Sequence, residues 1–63
     1  MKPPWEAHPE IEAGSIGWRM GYGEEYLLEF HQWFRRKHED AKLRYAEDHP
    51  EPAGWEGFLS SRM

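Results

Sequence analysis

Four histidines and three serines are the side chains of this 63-residue chain that most often carry chemistry, and cysteine is absent. His31 and His38 are seven residues apart, so on one helix they would lie about 10 Å apart along the axis. That separation is too large for one metal ion, and neither has a histidine or carboxylate four residues away. His8 and His49 could complete a metal site only through folding. We therefore predict surface histidines, with no metal and no other cofactor.

Nucleophilic catalysis requires a hydroxyl or thiol activated by a neighbouring base. Ser60 and Ser61 lie close to the C-terminus, and Ser15 lies in the segment AGSIG, which lacks the Gly-x-Ser-x-Gly spacing of a nucleophile elbow. Glu24 and Glu25 are better placed to complement the positive end of a helix than to transfer protons. The sequence therefore predicts no catalytic residue and no enzymatic activity.

Two charged segments suggest alternative functions. The segment GSIGWRMGYG runs into a predicted helix and carries Arg19, a composition that can hold an anion. However, it lacks the P-loop spacing, and the glutamates that follow it would repel phosphate. Residues 35–44 hold five basic side chains, but Glu39 and Asp40 interrupt them, and the whole chain has a net charge of −4. An anion- or metal-binding module and a nucleic-acid-binding accessory thus remain alternatives.

The strongest binding candidates are aromatic. Trp, Tyr and Arg dominate the energetics of protein interfaces, and the chain has four tryptophans with an aromatic content of 16%. We predict partner binding by Trp18, Arg19 and Tyr22, and then by Trp55 and Phe58. The function expected is therefore protein–protein binding, as an oligomer, a small subunit of an assembly, or an inhibitor- or immunity-type cap on another protein.

A helix must position these residues. Residues 24–47 carry aromatic and apolar side chains at a helical period, with no glycine or proline before Pro50. The predicted apolar face contains Tyr26, Phe30, Trp33 and Phe34. This face thins near residues 37–39, where the helix could be broken into two. Valine, threonine and asparagine are absent, so the fold class is mainly α with little or no sheet.

The remaining segments are predicted to be arms of one small domain, residues 1–63. Residues 1–14 are proline-rich and expected to be extended, and residues 48–63 form a C-terminal arm with aromatic anchors. Residues 15–23 alternate apolar side chains with glycine or arginine, which allows an ordered loop, a strand paired with a partner, or irregular structure on the helix. We expect the arms to fold onto the helix, with Trp5 among the tryptophans that cover it.

The short length of the chain limits the stability that its own core can provide. A single core in a chain this short supplies about 3–5 kcal/mol, and disulfides are excluded because cysteine is absent. Two additional sources of stability then remain: a bound metal, or burial against another chain. The sequence has neither a membrane-length apolar run nor the apolar core of a secretory signal, so we expect a cytoplasmic protein.

Overall fold

The computed structural model describes all 63 residues and contains three helices and two short 3₁₀ turns. In chain order these are α1 (Pro4–Ala7), a 3₁₀ turn (Ile16–Trp18), α2 (Gly21–Arg35), α3 (Glu39–Asp48) and a second 3₁₀ turn (Ser60–Arg62). No strand is present, so the predicted mainly α fold is confirmed. None of these helices is both long enough and apolar enough to span a membrane.

The predicted long helix is divided in two at the position where its apolar face thins. Arg36 still has helical backbone angles, whereas His38, the residue that precedes α3, is extended. Neither glycine nor proline lies at the break, so local sequence does not impose it. The break turns α3 back so that the Tyr45 ring packs 5.9 Å from Phe30 and 5.6 Å from Phe34. Burial of three aromatic rings in one cluster is the physical reason for the two-helix arrangement.

The glycine-rich segment forms a turn and a helix start. Its period-2 pattern suggested a strand as one alternative, but residues 16–18 form the 3₁₀ turn and α2 begins at Gly21, three residues earlier than predicted. Gly23 shows why glycine is needed here. A Cβ atom at this position would lie 2.0 Å from the carbonyl oxygen of Gly17. The 3₁₀ turn therefore packs directly against the backbone of α2.

The N-terminal segment, predicted to be extended, includes the helical turn α1, with Pro4 at its first position. The helix ends at His8, which precedes a proline, and α3 ends in the same way at His49. The two histidines have nearly the same backbone angles, φ −134° and ψ 67° against φ −130° and ψ 77°. A residue before proline is disfavoured in the α region, which explains why both helices stop there.

The core is a small aromatic cluster. Phe30, Phe34, Tyr45 and Leu59 are buried together, with Trp5, Tyr26, Trp33, Ala46 and Phe58 packed around them. The predicted apolar face of α2 is therefore the face that forms the core, and both arms contribute to it. The N-terminal arm is held further by the hydroxyl groups of Tyr26 and Tyr45, which donate to the carbonyl oxygens of Lys2 and Met1.

Candidate functional site

The five predicted partner-binding residues divide into an interior group and an exposed group. Trp18 is only 7% exposed, and its ring centroid lies 5.2 Å from that of Trp55, which in turn lies 5.0 Å from Phe58. The buried indole N–H of Trp18 has no acceptor, an uncompensated cost of placing this ring inside. Arg19 and Tyr22 are exposed. Trp18 thus contributes first to folding, while Trp55 and Phe58 are half-buried. Arg19 and Tyr22 present the most free surface.

Two further exposed side chains belong to the same segment as Arg19 and Tyr22. Ile16 is 70% exposed and Met20 59% exposed, while Tyr22 is 55% exposed. We call Ile16, Arg19, Met20 and Tyr22 the turn surface, because they belong to the 3₁₀ turn and the residues that lead into α2. The backbone here is ordered by the amide of Arg19, which donates to the carbonyl of Ile16 at 2.8 Å.

Sequence reasoning did not select Ile16 and Met20 as binding residues, although a signal for them existed. The alternation of residues 15–23 placed both on one face together with Trp18 and Tyr22. That alternation holds only for extended backbone. Once the segment forms a turn, Trp18 points into the core while its neighbours in the pattern stay exposed.

The orientation of Tyr22 is fixed by the N-terminal arm. Its hydroxyl donates to a carboxylate oxygen of Glu10 at 2.9 Å, and Nδ1 of His8 lies 3.3 Å from the same oxygen. The rings of His8 and Tyr22 pack edge to face with centroids 5.0 Å apart. Backbone hydrogen bonding at Glu10 and the Tyr22 hydroxyl lower the pKa of the Glu10 carboxyl, and the same contact raises the pKa of Tyr22. Tyr22 is therefore held in place at the edge of the turn surface.

Tyr22→Phe is expected to raise the pKa of Glu10 toward its ordinary value, because the variant removes one hydrogen bond that favours the carboxylate. Since the folded-state pKa is the lowered one, the contribution of this contact to stability is present at neutral pH and is lost as pH falls through that pKa. Acidification should therefore destabilise the wild type more than the variant. Carboxyl NMR titration of Glu10 tests this, and an unchanged midpoint in the variant would contradict the contact.

The basic residues 35–44 surround the junction of α2 and α3. Arg35 and Arg36 are exposed and line a polar depression with Gln32. Two of the lysines lie over aromatic rings instead: Nζ of Lys37 is 4.4 Å from the centroid of Trp33, and Nζ of Lys42 is 5.9 Å from that of Phe34. Part of this charge thus packs on the protein itself through cation–π contacts.

The C-terminal arm is ordered by one carboxylate. Both oxygens of Glu51 accept backbone N–H groups, from Gly57 at 2.9 Å and from Leu59 at 2.6 Å. Charge-assisted bonds of this kind are about twice as strong as neutral ones. The guanidinium of Arg62 then stacks 3.8 Å from the Phe58 centroid, and its burial lowers the pKa of Arg62. These contacts fix the positions of the arm's two large aromatic anchors.

The structure brings together no group of three histidine, aspartate or glutamate side chains that could hold a metal ion. The histidines make other contacts: His49 lies 3.1 Å from a carboxylate oxygen of Glu6, and its ring packs on Tyr45. Comparisons with protein families, with curated proteins and with solved structures found no match. The functional argument therefore proceeds from the chain's own geometry.

Proposed function

We propose that the protein is a non-enzymatic binding protein that associates with a second copy of itself through the turn surface. One observation carries this proposal. Seven large apolar side chains are substantially exposed, and three of them, Ile16, Met20 and Tyr22, fall within seven consecutive residues. Grouped apolar exposure marks interaction sites in soluble proteins, whereas scattered single residues such as Leu28 and Leu43 do not.

The charges near the turn surface favour a second copy as its occupant. Arg19 is exposed, and Glu24 and Glu25 follow it, also exposed, in the first turns of α2. A twofold interface places the same patch on both subunits, so a patch with both charge signs can complement itself. In such an arrangement the guanidinium of each copy meets the carboxylates of the other. Association of this kind weakens with added salt.

The size of the core provides a second argument. Only eight of the 63 residues are buried, and the core cluster holds four of them. A core this small leaves the free chain close to the limit of stability. Binding that requires the folded state stabilises that state by mass action. Association would therefore supply the folding stability that disulfides and metals supply in other small domains.

A variant carrying both Ile16→Ser and Met20→Ser is expected to dissociate. Both side chains are exposed in the free chain, so their replacement should leave the fold intact while removing the apolar contact from the interface. Burial of one such side chain contributes about 1.5–3 kcal/mol, so the dissociation constant should rise at least about tenfold. Light scattering over a dilution series measures the change, with circular dichroism on the same samples to check helicity.

The chain offers a matched control. A variant with Leu28→Ser and Leu43→Ser replaces two apolar side chains of similar exposure, 58% and 56%, on the outer faces of α2 and α3. It should associate as the wild type does. Equal association of the wild type and the Ile16 and Met20 variant would contradict the assignment of the interface. A wild type that is monomeric throughout would contradict self-association, and a different protein would then be the partner to seek.

A further inference from the structure

An aromatic depression lies on the surface between the two arms and α2, and none of the turn-surface residues lines it. Its volume is about 370 Å³. The apolar walls are Trp18, Leu27, Trp55 and Phe58, and Glu56 is the one ionisable residue among the nine that line it. This is a different site from the turn surface, and its chemistry points to a different kind of ligand.

The rings that line this depression stand perpendicular to one another. Trp18 and Trp55 meet at an interplanar angle of 85°, and Trp55 and Phe58 meet at 90°. Trp18 is 7% exposed, and Trp55, which also packs 5.4 Å from Trp5, is half-buried, so Trp55 presents most of the aromatic surface that a ligand can reach. The face of an aromatic ring carries negative electrostatic potential and attracts cations, most strongly for tryptophan. Walls of this kind form the cages in which proteins hold methylated ammonium groups.

The one ionisable side chain that lines the depression has the sign that a cation requires. Glu56 lies at its edge, where one carboxylate oxygen accepts the backbone N–H of Gly54 at 2.9 Å. No basic side chain lines the depression, and the chain as a whole carries a net charge of −4. A cation would therefore gain from both the rings and the carboxylate.

The same ring cluster already holds a cation of the chain itself. The guanidinium of Arg62 lies 3.8 Å from the Phe58 centroid, so one face of Phe58 is occupied. Trp55, which is half-buried, is therefore the principal wall available to a ligand. The Arg62 guanidinium also donates to the carbonyl of Phe58 at 2.7 Å, and because its positive charge opposes a second cation, the carboxylate of Glu56 is needed to offset it.

Hydrogen-bonding capacity separates methylated from unmethylated ammonium groups. A primary ammonium has three donors that need acceptors when water is removed. Apart from Glu56, the polar side chain of the depression is Ser61, whose hydroxyl already donates to the carbonyl of Phe58 and lies 3.3 Å from Nη1 of Arg62. A quaternary ammonium has no donor to satisfy. It therefore fits a site with aromatic walls and few acceptors.

We propose that this depression binds a quaternary ammonium group, with Trp55 as its principal aromatic wall and Glu56 as its counter-charge. The group can belong to a small molecule such as choline or to a trimethylated lysine side chain in a protein. Both sources present the same trimethylated cation. The inference does not depend on self-association, because the residues involved are not those of the turn surface.

The first experiment compares choline chloride with its neutral analogue 3,3-dimethylbutan-1-ol, which has the same shape without the charge. The indole resonances of Trp18 and Trp55 are followed by NMR at constant ionic strength. We expect a saturable shift with choline and at least about tenfold weaker binding of the alcohol, the size of one desolvated cation–π contact. No saturable shift with choline, or equal binding of the two compounds, would overturn the proposal.

Variants and a second probe complete the test. Glu56→Gln keeps the acceptor for Gly54 but removes the charge, so choline binding should weaken several-fold while helicity is unchanged. Choline binding that is unaffected by Glu56→Gln would overturn the assigned counter-charge. A peptide with one trimethyllysine, measured against the same peptide with unmodified lysine, distinguishes the sources. Tighter binding of the methylated peptide than of choline assigns a protein ligand, and the reverse order assigns a small amine.

Discussion

Gly23→Ala is expected to unfold most of the protein at 25 °C. An alanine Cβ at this position would lie 2.0 Å from the carbonyl oxygen and 2.9 Å from the carbonyl carbon of Gly17. Both atoms belong to the backbone, so no rotamer change relieves the clash, and the 3₁₀ turn must move away from α2. Overpacking of this severity costs about 3 kcal/mol or more, which is comparable with the total stability of a domain this small.

The sign of the change in stability distinguishes a tertiary clash from helix propensity. In a helix without tertiary contacts, glycine to alanine stabilises by about 1 kcal/mol, so intrinsic propensity predicts the opposite result. Glu25→Ala is the matched control, because Glu25 is exposed in the same turn of α2 and its variant should change stability by less than about 0.5 kcal/mol. Urea unfolding followed by circular dichroism measures both. A Gly23→Ala variant as stable as the wild type would show that the 3₁₀ turn does not pack on α2.

Phe30→Ala is expected to have the second large effect, a loss of about 3–5 kcal/mol. The Phe30 side chain is fully buried, and its ring lies 5.8 Å from Phe34, 5.9 Å from Tyr45 and 5.9 Å from Phe58. These neighbours come from α2, α3 and the C-terminal arm. Removing the ring therefore leaves a cavity where three parts of the chain meet, and no single part can close it.

Two other variants serve as controls with smaller expected losses of stability. Phe30→Leu keeps most of the buried volume and should cost less than about 1.5 kcal/mol, so it should remain folded. Leu28→Ala removes an apolar side chain of the same helix that is 58% exposed, and it should be close to neutral. Equal destabilisation by Phe30→Ala and Leu28→Ala would contradict the position of the core. Unfolding in urea, monitored by tryptophan fluorescence, distinguishes the three variants.

The helical fold could be predicted because aromatic side chains recur at a helical period and β-branched residues are scarce. Phe30 and Phe34 follow from that period alone, and both are fully buried. The position of the break could be located only approximately. No glycine, proline or capping side chain marks residues 36–38, and the division depends on Tyr45 reaching the core across the turn. Such contacts between distant residues are not encoded in any local pattern.

The candidate surface was harder to predict for a related reason. Trp18 and Arg19 are adjacent in a glycine-rich segment, and composition makes both equally good binding residues. The structure separates them because Gly23 allows the turn to approach α2, which directs Trp18 inward and leaves Arg19 outside. The contact between Glu10 and Tyr22 likewise joins residues 12 positions apart, and only the folded arm brings them together.

The most direct test of self-association is an isotope-filtered NOE experiment. Equal amounts of labelled and unlabelled chain are mixed, so that only contacts between two copies give signals. We predict intermolecular contacts from the methyl groups of Ile16 and Met20 and from the ring of Tyr22, and none from Leu28 or Leu43. Intermolecular contacts confined to those two leucines, or no contact from Ile16, Met20 or Tyr22 at concentrations where light scattering finds a dimer, would contradict association through the turn surface.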